Sequence, residues 1–148
     1  MKTGGWNPAF KRFPDYDCWL RLGLFGEFVH INSCLAAFRV HDDSQSFATT
    51  TTERGDEAVK IIEEYYKNPA LPKDVIGIKN VAMASAHLLI AQLDLRSGRY
   101  FRAMRQIFIA ASLSISTLFS FRTLRMLFNG LFNRIFHKIL WVLRQRND

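Results

Sequence analysis

The spacing of apolar positions changes along the chain, and each change predicts a different element. From Asp15 to Gly26, Trp19, Leu20, Leu22, Leu24 and Phe25 fit a short helix opened by an acidic residue and stopped by glycine. Glu27 to Ile31 and Leu35 to Val40 carry the β-formers Phe28, Val29, Ile31, Phe38 and Val40 around Asn32-Ser33, predicting two short strands. Asp42 to Thr52 is polar, with consecutive threonines at 49–52, and reads as a loop at a domain edge. The spacing then becomes helical. Ala58, Ile61, Ile62, Tyr65 and Tyr66 share one face of a helix over Asp56 to Lys67, which Asn68-Pro69 ends. Lys73 to Ser97 predicts a longer helix with Gly98 as its left-handed stop. A third helix sets Arg99, Arg102 and Arg105 opposite Ala103, Ile107 and Ala110-Ala111, and pairs with the second as a hairpin. From Arg122 to Arg144 the polar residues recur every three or four positions, leaving a wide apolar face and a narrow cationic stripe.

Composition narrows the class. At 148 residues, 49% hydrophobic and 14% aromatic, the chain is one domain or a piece of one, with enough apolar surface for a core. Disordered, collagen-like and disulfide-stapled classes are excluded. Residues 1–95 hold 10 basic and 12 acidic side chains, whereas 96–148 hold 10 basic and 1 acidic. A near-neutral head thus carries a cationic, aromatic-rich tail, the distribution of a surface that meets phosphate. Cys18 and Cys34 lack any metal-ligand spacing and read as reduced packing residues. The first 20 residues are interrupted by Lys2, Lys11, Arg12, Asp15 and Asp17, so no cleavable secretion signal is expected and the head is read as cytoplasmic. The longest uncharged stretch, Gln106 to Phe121, is 16 residues with four serines and one threonine. That is short of the ~20 apolar residues of a spanning helix.

The run Phe13-Pro14-Asp15-Tyr16-Asp17-Cys18-Trp19-Leu20-Arg21 places two carboxylates two residues apart at a helix start. Gly4-Gly5-Trp6 precedes it, and Phe38-Arg39-Val40-His41-Asp42-Asp43-Ser44-Gln45-Ser46 follows the second strand-like segment. In order and separation these resemble the family 2 glycosyltransferases. There, a Gly-Gly-aromatic turn leads to an Asp-x-Asp-x-Trp-x-Arg helix start, then to two strands ending in aromatic-Arg-x-His-x-x-Ser-x-Ser. Pro14 stands where relatives are commonly acidic. The resemblance covers residues 4–47 and corresponds to the acceptor-side end of a GT-A-type domain.

Several expectations follow from the resemblance. Asp15 matches the general base that takes the proton of an acceptor hydroxyl, a task needing a carboxylate within about 3 Å. Asp17, Trp19 and Gly5 fall at the acceptor-binding positions, and Arg39 and His41 on the donor diphosphate or metal side. The implied substrates are a nucleotide-diphosphate sugar and a saccharide or lipid-linked saccharide, joined with inversion. A divalent cation, magnesium or manganese, is expected in the complete enzyme. The upstream Asp-x-Asp that holds it in relatives, with the nucleotide-binding sheet, has no counterpart here, so the chain reads as the C-terminal portion of a transferase. Apart from the resemblance, Asp15 reads first as an ordinary helix cap and Trp19 as a core residue.

The expected fold is therefore an α/β fragment over 1–50, one helix plus two short strands, followed by an all-α extension over 51–121 and a basic amphipathic tail over 122–148, helical in the main. Leu95-x-x-Gly98-x-Tyr100-x-x-Ala103 resembles a tetratricopeptide helix junction, in one copy. The tail has six Lys or Arg between 122 and 146 among Phe128, Phe132, Phe136 and Trp141. Arg125, Arg134 and Lys138 with Phe132 and Trp141 suit contact with an anionic membrane surface, each cation contributing about 1 kcal/mol. The same face would equally serve to pack on the protein. No nucleic-acid-binding motif accompanies the charge, so nucleic acid is not the expected partner. The location read from this is peripheral, at the inner face of the membrane. The contrasting function is a non-catalytic helical module that binds a membrane surface or another protein.

Overall fold

In the computed structural model, which describes residues 4–37 and 51–132, the chain forms α1 (Pro14–Leu22), α2 (Thr52–Tyr65), α3 (Lys73–Gly77), α4 (Lys79–Ser97), α5 (Tyr100–Leu113) and α6 (Ile115–Leu118). A further helical stretch, α7, runs over 121–132. Helix α4 is the hub: α5, α2, α6 and α3 all pack on it, and α1 reaches the assembly through α2.

Small residues explain that role. Ala84 and Ala91 of α4 are fully buried, and Leu88 and Ile90 fill the space beside them. Ala58, Ile61 and Ile62 form the buried face of α2, and Gly55 lets that helix approach closely, since a Cβ there would lie 3.2 Å from Ile90 Cγ2. Ala84, Leu88 and Ala110 form a core cluster that Ile107, Leu113, Leu118, Met126 and Leu127 cover. Gly130 brings α7 onto α4, where a Cβ would sit 3.1 Å from the Gln92 carbonyl oxygen. His87 and the buried Gln106 bridge α4 and α5 at 2.6 Å.

Gly98 ends α4 at φ 74°, and Arg99 N–H donates back to the Asp94 carbonyl at 2.8 Å, which turns α5 against α4 as a hairpin. The expected helix over 73–97 is divided at Ile78. Gly77 lowers helix propensity there, and Ile78 N–H bonds to Val75 rather than continuing the α-helical ladder. Helix α2 starts at Thr52, inside the expected loop. Helix α1 stops at Leu22 instead of Gly26 because Gly23 closes it with bonds to the Trp19 and Arg21 carbonyls.

The α/β expectation is overturned: the described residues contain helices and no strand. Residues 27–37 are irregular, and the backbone hydrogen bond they make among the described residues, Ser33 N–H to the Ile31 carbonyl, is a local turn. Phe28, Val29, Ile31 and Leu35 are exposed, Val29 to 85%. β-Propensity reflects packing on a pleated, half-buried surface, and an isolated pair of strands is marginal in water. These side chains meet no such surface among the described residues, so propensity alone does not produce strands. Residues 38–40, the end of the second expected strand, lie outside the described residues. Neither cysteine is disulfide-bonded; Cys18 is half-buried, while Cys34 is exposed rather than packed.

Candidate acceptor site at the start of α1

The position of α1 is set from α2. Glu57 Oε1 accepts the backbone N–H groups of Arg12 at 2.6 Å and Phe13 at 2.7 Å, and its Oε2 accepts that of Lys11 at 3.0 Å. Phe13 is the N-cap of α1 and supplies no side-chain acceptor, so a carboxylate from another helix receives amides just ahead of it. That negative charge also favours the positive end of the helix. Arg54, one turn earlier on α2, stacks its guanidinium 5.3 Å from the Phe13 ring centre. Burial, and then the neighbouring Arg12 and Arg96 charges, lower the Arg54 pKa from its ordinary value. We expect Glu57→Ala to cost about 1–2 kcal/mol, in the range of a lost helix cap. Amide hydrogen exchange at Lys11, Arg12 and Phe13 should accelerate before that of α4. Unchanged protection there would show that α1 is held otherwise.

The two carboxylates of α1 are separated by this placement. Residues two apart on a helix lie about 200° around its axis, so Asp15 and Asp17 face opposite ways. Asp17 is turned inward. Its Oδ2 accepts Arg21 Nη2 at 2.6 Å and Nε at 3.1 Å, and the same Arg21 Nη2 donates to the Gly5 carbonyl at 2.7 Å. Gly4 and Gly5 hold φ of 73° and 69°, a left-handed pair that glycine alone adopts without strain. Asp17, Arg21 and Gly5 thus form one partly buried unit that fixes the glycine turn beside α1.

Asp15 is half-buried, and its Oδ1 accepts the Tyr16 backbone N–H at 3.0 Å. Trp19 lies one turn on along the same face and is 56% exposed. Burial raises the Tyr16 phenol pKa above its ordinary value, which keeps this neighbour protonated and neutral at physiological pH. The arrangement offers a partly desolvated carboxylate beside an aromatic platform, with a second carboxylate spent on architecture.

The expected site residues therefore fall into two groups, Asp15 with Trp19 and Asp17 with Gly5. Arg39 and His41 lie outside the described residues, as do Arg134, Lys138 and Trp141. Arg125 and Phe132 are exposed on α7. No three His, Cys, Asp or Glu side chains converge among the described residues, and Asp15 and Asp17 do not chelate together across α1. The divalent cation implied by the resemblance thus has no ligand set among them, and no step below runs through it. No helix among the described residues is long and apolar enough to cross a membrane.

Sequence spacing does not single out Glu57 or Arg54, since their contacts with residues 11–13 arise only from folding. No protein-family model matches the chain, and no curated protein or solved structure is significantly similar to it.

Proposed function

We propose that this chain is the acceptor-side portion of an inverting glycosyltransferase in which Asp15 is the general base. The observation that carries the reading is the division of labour on α1: Asp17 is committed to Arg21 and the Gly5 turn, while Asp15 stays partly accessible beside the exposed Trp19. A saccharide ring stacked on Trp19 would present a hydroxyl toward Asp15. As that oxygen bonds to the anomeric carbon of a nucleotide-diphosphate sugar, its proton passes to the Asp15 carboxylate. The bond from the anomeric carbon to the diphosphate oxygen breaks, and the nucleotide diphosphate leaves with the electron pair. Attack opposite the leaving group inverts the anomeric centre. By the resemblance, Arg39 and His41 serve the diphosphate side.

The same reading puts the protein at the cytoplasmic face of a membrane, held peripherally by the basic segment 122–148 and acting on a saccharide or lipid-linked saccharide. The exposed aromatic side chains of α5 and α7 favour a second reading, a non-catalytic module that binds without turnover.

Acceptor binding is testable on the chain itself. Titrating oligosaccharides by isothermal calorimetry, a readout that does not depend on the tryptophan itself, should give a saturable heat that Trp19→Ala abolishes and Trp19→Phe largely retains. A response identical in wild type and Trp19→Ala would remove the acceptor site from α1.

A further inference from the structure

Helices α5 and α7 carry one pattern twice. Phe-Arg-x-x-Arg-x-x-Phe occupies residues 101–108 and recurs 20 residues later at 121–128. The intervening positions match in character, Met104 with Leu124 and Ile107 with Leu127, and the small residue that follows is Ala110 in one copy and Gly130 in the other. The structure treats the small and the phenylalanine positions of both copies alike, whereas Arg102 is ion-paired and Arg122 exposed. Ala103 and Ala110, and correspondingly Thr123 and Gly130, are buried, with Ala110 in the cluster on α4 and Gly130 against α4 at Gln92. The phenylalanines face the other way: Phe101 is 90% exposed and Phe108 70%, Phe121 81% and Phe128 60%. Arg105 and Arg125 are exposed between them, four residues after one phenylalanine and three before the next.

We propose that the outward stripe of α5 is a second membrane-contact surface, a duplicate of the one on α7, and that both lie in the interface of an anionic phospholipid bilayer. The proposal rests on the peripheral reading of residues 122–148 and extends it to a helix outside that tail; it is independent of the role of Asp15. Three observations select the occupant. Aromatic rings largely exposed on a helix can bury apolar area without a span, as an interfacial helix does. Residues 96–132 contain six arginines and no acidic residue; Arg99 and Arg102 pair with Asp94 and Asp56 of neighbouring helices, while the exposed Arg105 and Arg125 give the stripes themselves a cationic charge. Finally, Arg105 and Arg125 sit inside the apolar stripes, where a long aliphatic stem lies along hydrocarbon while the guanidinium reaches phosphate. A second copy of the chain fits less well, because a two-fold contact would set each stripe on itself and bring arginine against arginine with no carboxylate between them.

The test is co-sedimentation of the full chain with vesicles of phosphatidylcholine containing about one-third phosphatidylglycerol, a composition that supplies the anionic surface. Wild type should bind these vesicles, bind phosphatidylcholine alone more weakly, and lose affinity as salt rises. Phe101→Ser with Phe108→Ser should lower the partition coefficient about tenfold or more, as should Phe121→Ser with Phe128→Ser. Arg105→Glu should cost about tenfold on anionic vesicles and little on neutral ones. The substituted side chains are exposed, and unchanged circular dichroism and melting would establish that the fold is kept. Fluorescence of Phe108→Trp, measured against wild type, should be quenched by brominated lipid. Loss of binding in the α7 variant with none in the α5 variant, and no added quenching of Phe108→Trp, would overturn the second surface while leaving the tail attachment standing. Wild type that fails to bind either vesicle would overturn both. Binding that acidic polypeptide competes away, without lipid quenching, would overturn the bilayer in favour of a protein partner.

Discussion

Asp15→Asn is expected to lower the turnover of sugar transfer by about 10²- to 10⁴-fold, the range associated with removing a positioned proton acceptor. The assay uses the polypeptide translated from the complete reading frame that contains these 148 residues. Asn keeps the size of Asp15 and an oxygen that accepts the Tyr16 N–H, so the helix start should survive. What it lacks is basicity. Saccharide binding at Trp19 should therefore be nearly unchanged, and the loss should appear in kcat rather than in KM, as for an interaction made only in the transition state. Asp17→Asn makes the contrast. Its carboxylate faces Arg21 and lies on the opposite side of α1, so its loss should loosen the Gly4-Gly5 turn, raise KM and lower the melting temperature. If Asp15→Asn retains wild-type turnover, or if Asp17→Asn alone abolishes the chemical step, the division of roles on α1 is wrong.

Elements whose determinants are local were legible in the sequence, and those whose determinants are remote were not. Gly98 announces the end of α4 because a left-handed stop after a long apolar run is a property of that residue and its immediate neighbours. Ala58, Ile61 and Ile62 announce α2 in the same way. The strand-like run Phe28-Val29 and Ile31 fails because propensity for extended structure becomes structure only against a sheet or core, and these side chains find neither among the described residues. The break at Ser114 between α5 and α6 falls in Ala-Ala-Ser-Leu-Ser-Ile, which has no glycine or proline to mark it. At the site, the motif placed Asp15 and Trp19 on one helix, but whether Asp17 faces solvent or Arg21 is decided by where the Gly5 carbonyl arrives. Glu57 belongs to the same class, a carboxylate 44 residues from the helix start it supports. The repeat in α5 and α7 is different, since both copies stand in the sequence. Reading arginines as one cationic side of a helix obscures it, and Arg102 shows why: it turns inward to Asp56 and Asp94 while Arg105 stays outside.

That inward turn leads to the largest expected effect on stability. Asp94 is 1% exposed near the C-terminal end of α4, where the helix dipole disfavours a negative charge. Two guanidiniums offset this. Arg99 Nε lies 2.6 Å from Asp94 Oδ1 and Arg102 Nε 3.4 Å from Oδ2, while Arg102 Nη2 reaches Asp56 at 2.5 Å on α2. One carboxylate thus joins the end of α4 to the start of α5, and through Arg102 to α2. Breaking a buried pair by removing one partner costs about 3–5 kcal/mol. Asp94→Ala should fall near the lower end, about 3 kcal/mol, because both arginines retain partial access to water. For a chain of this length that corresponds to a fall in melting temperature of about 6–12 °C. Arg102→Ala should cost less, since Asp94 keeps Arg99, and in a double-mutant cycle the Asp94 and Arg99 losses should be clearly non-additive. High salt should change little, because a pair this buried is poorly screened. A loss under 1 kcal/mol for Asp94→Ala would mean that apolar packing of α4 on α5 sets the hairpin by itself. Loss of vesicle binding in that variant, with Phe101 and Phe108 intact, would instead tie the orientation of the α5 stripe to the Asp94 pair.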